Sequence, residues 1–181
     1  MIETAQTVPV HVPVGKVWEH VKNIRNWAEL MPGLQDCTII DDDDSRWVLK
    51  VGVGAMVRTV KVAVHVDEWD GPERVFFSFK LQGDPVTGGG SYLAVPTSDG
   101  SVDMTLTLQV KGTGPMAPMW EAMGGPLLPK FAHAFAEQLA RGIEEANGVS
   151  VRAEASRVSL VARFGALLGR LRRWIMASPS A

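Results

Sequence analysis

Three segments alternate apolar and polar residues with a period of two, and no other feature limits the chain as tightly. In 56–66 (MVRTVKVAVHV), Val60, Val62, Val64 and Val66 share one face, while Lys61 and His65 share the other. In 74–81 (RVFFSFKL), Val75, Phe77, Phe79 and Leu81 face one way and Ser78 and Lys80 face back. In 102–111 (VDMTLTLQVK), Val102, Met104, Leu106, Leu108 and Val110 alternate with Asp103, Thr105, Thr107, Gln109 and Lys111. Successive side chains of a strand point to opposite faces, so this alternation predicts an antiparallel sheet with one wet face and one buried face. The buried face needs a cover.

The flanking segments supply the remaining elements. Residues 2–12 (IETAQTVPVHV) read as a first strand, with Pro9 placing it at an edge or a bulge. The stretch from Pro13 to Val21 spaces Val14, Val17, Trp18 and Val21 on one helical face. A second helical turn, Ile24 to Leu30, ends at Met31-Pro32-Gly33. Strands Cys37–Ile40 and Trp47–Val53 follow, joined through Asp41 to Asp44. Turn signals at Asp70-Gly71-Pro72, Gly83-Asp84-Pro85 and Ser98-Asp99-Gly100 fit hairpin connections, and Gly88-Gly89-Gly90 reads as a hairpin or bulge. Residues 112–130 hold four Gly and four Pro around Met116, Met119, Trp120 and Met123, and are expected to form a gate, with an ordinary loop making a Met-filled contact as the alternative. Beyond them, Leu127, Leu128, Phe131, Ala132, Phe135, Leu139 and Ile143 form a helical stripe, stopped by Asn147-Gly148. That long helix is the one available cover for the sheet, which makes the fold class α+β. The expected division is residues 1–148 as the sheet-and-helix domain and 149–181 as a linker and tail helix.

Charge separates the same two parts. From Val149 onward six arginines face one glutamate, a balance of +5, against −7 for the preceding 148 residues. Within the tail, Leu160, Val161, Phe164, Leu167, Leu168, Leu171, Trp174 and Ile175 recur at steps of three and four. Arg157, Arg163, Arg170, Arg172 and Arg173 lie mostly off that stripe. A basic amphipathic helix with a Trp at its end predicts docking on an anionic membrane surface, each Arg adding about 1 kcal/mol near the lipid. A groove on a partner protein, or packing on its own domain, are the alternatives. The acidic body offers no basic groove, so nucleic acid is not an expected partner.

Catalytic and metal motifs are sparse. The single Cys37 excludes an intramolecular disulfide and a multi-cysteine metal site. His11, His20, His65 and His133 are scattered, with only His133 on the long helix near its apolar face. No H-x-x-x-H or E-x-x-H spacing joins His133 to a metal partner, and no nucleophile-elbow signature occurs. The four aspartates lack the interleaved Gly and distal Glu of a calcium loop and read as a solvated turn. The expectation is a non-enzyme with no metal and no cofactor of its own. No secretory signal opens the chain and no apolar run is long enough to span a bilayer, so the expected location is cytoplasmic.

The order of elements resembles the helix-grip (START-like, SRPBCC) superfamily, which includes lipid-transfer proteins, birch-type plant allergens, polyketide cyclases and coenzyme Q-binding proteins. Val14-x-x-Val17-Trp18, Asn26-Trp27, Met31-Pro32-Gly33, Gly88-Gly89-Gly90 and Lys111-Gly112-Thr113-Gly114 are similar to the CoxG family, which is linked to aerobic carbon monoxide dehydrogenase. The resemblance covers roughly residues 2–147. It implies a curved antiparallel sheet gripping the long helix around a cavity for a hydrophobic small molecule. It further implies recruitment to the inner face of the cell membrane, a molybdenum hydroxylase as partner, and an isoprenoid quinone such as menaquinone as cargo. The cavity is then expected to be lined by Val60, Val62, Phe77, Phe79, Met104, Leu106 and Leu108 of the sheet and by Phe131, Phe135 and Leu139 of the helix. Met119, Trp120 and Met123 would gate it. A cyclase- or aromatase-like enzyme and a ligand-free recruitment factor are the competing functions.

Overall fold

The computed structural model describes residues 1–53, 56–115 and 117–149. Seven strands form one antiparallel sheet: β1 (Ile2–Val10), β2 (Leu34–Ile39), β3 (Asp44–Val53), β4 (Met56–Asp70), β5 (Arg74–Gln82), β6 (Val86–Pro96) and β7 (Val102–Gly112). Two short helices, α1 (Val14–Val21) and α2 (Ile24–Glu29), follow β1, and the long α3 (Ala117–Ala146) follows β7. The strand order is β1-β7-β6-β5-β4-β3-β2, so the first strand returns to pair with the last. β1 therefore lies at an edge, where Pro9 can sit opposite Asp103 without its missing N–H breaking a two-sided ladder. The result is the helix-grip fold: a curved sheet wrapped around its C-terminal helix.

The alternating faces behave as their chemistry demands. On β7, Val102, Met104 and Leu106 are almost fully buried, and on β4 Val60, Val62 and Val66 are buried. Opposite them, α3 presents Ala132, Phe135, Ala136, Leu139, Ala140 and Ile143, all buried. The small residues at 132, 136 and 140 let the helix approach the sheet closely in its second half. Helices α1 and α2 plug the same end with Val17, Val21, Ile24, Trp27 and Ala28.

The β2–β3 turn is built as expected from its aspartates. Asp41 Oδ1 accepts from the backbone N–H groups of Asp43 (3.0 Å) and Asp44 (2.7 Å), and these bonds hold its carboxyl below the usual range. Asp43 in turn accepts from Trp69 Nε1 at 2.8 Å. The acidic run serves the hairpin.

Two expectations need correction. Gly88-Gly89-Gly90 is not a hairpin but the middle of β6, paired on one side with Phe79, Ser78 and Phe77 and on the other with Val110, Gln109 and Leu108. The glycines are there because the sheet has no room for side chains. A Cβ at Gly90 would approach the Phe77 ring to 2.8 Å, and one at Gly88 would overlap the Phe79 ring. The 112–130 segment is likewise mostly helix and not irregular, since α3 begins at Ala117 and continues through Gly124, Gly125, Pro126 and Pro129. Each proline deprives the carbonyl four residues earlier of its helical donor, yet the helix runs unbroken to Ala146.

Met1–Val149 is the first of two units in the chain. The tail expectation, from Arg157 through Leu160 and Phe164 to Trp174 and Ile175, lies outside the described residues. Among the described residues, no helix is long and apolar enough to cross a membrane.

Candidate functional site

The space between sheet and helix is filled at one end and hollow at the other. Along β7 the inward row changes character: Val102, Met104 and Leu106 are packed solid, whereas Leu108 and Val110 line a cavity of about 480 Å³. Helix α3 divides in the same sense. Its second half is in contact with the sheet, while Met119, Trp120, Gly124, Leu127, Leu128 and Phe131 face the hollow. A volume of this size falls within the range of small-molecule sites, about 300–1,000 Å³.

Of the residues expected from sequence to form the cavity, Val60, Val62, Phe77, Phe79, Leu108, Phe131 and Phe135 line it, as do Met119 and Trp120. Met104, Leu106 and Leu139 do not. They lie at the packed end, 0–2% exposed, where β7 and α3 are too close for an intervening void. Met119 and Trp120 border the hollow from a helix and not from a loop. Met123 belongs to α3, but its side chain lies outside the described part of the structure.

Sequence reasoning missed most of the wall contributed by α2 and by β3 and β4. Ile24, Trp27, Met31, Trp47, Leu49, Val51 and Trp69 all line the cavity. The alternation of Trp47, Leu49 and Val51 in β3 carried a signal for this. Trp27 had none beyond its place in a short helix. It forms the floor, with its ring centroid 6.0 Å from Phe77, 5.8 Å from Tyr92 and 6.3 Å from Phe135.

Three of the four lining tryptophans keep the wall apolar by turning their polar edges into the protein. Trp27 Nε1 donates to the Val21 carbonyl at 2.5 Å, Trp47 Nε1 to Ser45 Oγ at 2.9 Å, and Trp69 Nε1 to Asp43 Oδ1 at 2.8 Å. A buried indole N–H needs such a partner. Because each of these three finds one behind the wall, their N–H groups are not presented to the cavity.

One ionisable side chain lines the cavity among the described residues. Arg58 continues the inward row of Val60, Val62, Val64 and Val66 one step beyond the buried part of β4, where its side chain is 56% exposed. It pairs with Asp84 of the β5–β6 turn at 2.8 Å and lies over the Trp120 ring, 5.5 Å from its centroid. With exposed Met119, these residues mark the open end.

The histidines do not converge on the cavity. His133 is more than half exposed, with Nε2 3.4 Å from Glu137 Oε1 on the outside of α3. His65 is paired with Asp44, and His11 Nδ1 lies 2.6 Å from Glu144 Oε1 at the packed end. His20 Nε2 is buried without a partner among the described residues, and burial lowers its pKa. Tyr92 Oη is also buried without a hydrogen bond to the described residues, and desolvation pushes the phenol well above its ordinary range. Tyr92 lies behind Trp27 and outside the cavity lining. No cluster of three His, Cys, Asp or Glu side chains suited to a metal ion occurs among the described residues.

Residues 1–144 match the family model described as polyketide cyclase / dehydrase and lipid transport. A conserved protein from Geobacillus kaustophilus is similar in structure over 80% of this chain and 97% of that chain, at 17% identity and a TM-score of 0.69. A START superfamily protein from Mycobacterium smegmatis matches over 80% of this chain and 95% of its own, at 16% identity and a TM-score of 0.59. The Zhui aromatase/cyclase from Streptomyces sp. R1128 matches over 84% and 97%, at 17% identity and a TM-score of 0.57. At these identities the likeness is one of fold. None of the curated proteins matches the sequence.

Proposed function

The chain belongs to the polyketide cyclase / dehydrase and lipid transport family, and we propose that it is a non-catalytic carrier of a hydrophobic molecule of the isoprenoid-quinone class, such as menaquinone. The observation that supports a carrier is the wall itself. Rings and aliphatic chains line about 480 Å³ of space, and three of the four lining tryptophans, Trp27, Trp47 and Trp69, have their N–H groups bonded to the protein. A cyclase or aromatase must polarise carbonyls and move protons with positioned side chains. The described lining offers one guanidinium, at the rim, and no histidine or carboxylate. The choice of a quinone rests on the resemblance to the CoxG family, as does the choice of a molybdenum hydroxylase such as carbon monoxide dehydrogenase as its partner.

Titration of delipidated protein with menaquinone tests the carrier reading. Saturable quenching of indole emission at one ligand per chain is expected, because Trp27, Trp47, Trp69 and Trp120 all line the cavity. Native mass spectrometry of the protein purified from quinone-producing cells should show the same stoichiometry. Protein that neither retains nor takes up a quinone or lipid overturns the reading.

The proposal includes peripheral attachment to the inner face of the cell membrane through the arginine-rich amphipathic segment after Ser156. Ending the chain at Gly148 should abolish co-sedimentation with anionic vesicles while leaving quinone uptake unchanged. Undiminished vesicle binding by the shortened chain would rule the tail out as the anchor.

A further inference from the structure

The cavity wall is apolar except at its rim, where Arg58 lies. Arg58 is the one cation on the described lining, and two elements hold its guanidinium across the open end. Nη2 donates to the Asp84 carboxylate, 2.9 Å from Oδ1 and 2.8 Å from Oδ2, and the guanidinium carbon lies 5.5 Å from the Trp120 ring centroid. The Asp84 side chain is only 12% exposed, so its charge sits at the rim and not in bulk water. An Arg side chain has five N–H donors in a fixed fork. The bonds to Asp84 use one nitrogen, and Nε and Nη1 have no partner among the described residues.

We infer that the Arg58–Asp84 pair is a headgroup site selective for an uncharged, carbonyl-bearing terminus over a carboxylate. This inference rests on the carrier reading and adds to it the chemistry of the ligand's head. The physical reason is the charge already present. Asp84 neutralises the guanidinium, so a second carboxylate would meet a like charge a few ångströms away and lose its hydration for little return. A quinone, ketone or ester oxygen accepts from the remaining N–H donors without displacing Asp84 and has no charge to desolvate. The apolar part of such a molecule then runs inward along Val60 and Val62 toward Trp27. Trp120 supports the guanidinium from the side, where a planar cation over an indole is favourable.

Paired probes with the same hydrocarbon chain test the assignment: cis-parinaric acid and its methyl ester, followed by probe fluorescence at pH 8 in the full chain. The quantity read is the ratio of the acid's Kd to the ester's, which is then compared between variants so that the probes' intrinsic differences cancel. Asp84→Asn keeps the shape of the side chain and removes its charge, and should lower that ratio about tenfold, mainly by tightening the acid. Arg58→Gln should weaken the ester by severalfold and leave the protein folded, because its side chain is half exposed. A ratio unchanged in Asp84→Asn overturns the headgroup assignment while leaving the carrier reading intact. Failure of wild-type protein to bind either probe or menaquinone overturns both.

Discussion

Replacing Trp27 with alanine should lower the free energy of unfolding by about 3–5 kcal/mol, the cost of emptying a large aromatic site in a core. The site is unusually connected for a residue on a six-residue helix. The indole is edge-on to Phe77 and Tyr92 and tilted against Phe135, so it joins β5, β6 and α3 at one point. Its N–H satisfies the Val21 carbonyl, and so ties α2 back to the end of α1. Trp27→Phe should keep much of the ring contact but leave that carbonyl unpaired, costing about 1–3 kcal/mol. Urea denaturation followed by far-ultraviolet circular dichroism measures both. A wild-type midpoint for Trp27→Ala would mean that Trp27 is not the partition between the packed and hollow ends.

Gly90→Ala should destabilise, although Gly-to-Ala changes at compatible positions usually stabilise by about 0.4–1 kcal/mol through the unfolded chain. The reversal comes from space. An added Cβ would overlap the Thr107 carbonyl oxygen, come within 2.8 Å of Phe77 Cζ and reach 3.2 Å from Leu108 Cδ2. A backbone carbonyl in the neighbouring strand cannot rotate away like a side chain, so the sheet must spread locally, at about 1–3 kcal/mol. The shifted Phe77 ring should also intrude on the cavity and weaken menaquinone uptake. Gly15→Ala in α1 is the control: nothing lies within 4 Å of its Cβ position, and it should stabilise by about 0.5–1 kcal/mol. If the two variants shift the melting temperature in the same direction, close packing does not explain the glycines of β6.

Part of this architecture is legible in the sequence because it depends on local periodicity. Val60 to Val66, Val75 to Leu81 and Val102 to Val110 state their faces by alternation. Phe131, Phe135, Leu139 and Ile143 state theirs by helical spacing. β6 was hidden for a physical reason: the property that suits Gly88 and Gly90 to its centre, having no side chain, also removes any pattern. The first part of α3 was hidden because Gly124, Gly125, Pro126 and Pro129 oppose a helix locally. Propensity is a weak prior once an apolar face has a surface to cover.

The same limit governs the site. Alternation identified which side chains point inward, but it could not say where inward meant core and where it meant cavity. Met104 and Leu108 have equivalent positions in the pattern of one strand, yet Met104 is fully buried in the packing and Leu108 borders the hollow. That distinction depends on the distance between β7 and α3 at each level, which is set by the alanines at 132, 136 and 140 and by the wedge of Trp27. Arg58 shows the point most clearly. By itself the sequence determined that this arginine begins a strand and lies in register with an inward valine row. Only the tertiary structure brought Asp84 and Trp120 to it from a turn and a helix distant along the chain, because proximity across a sheet and a helix is created by folding and leaves no local trace.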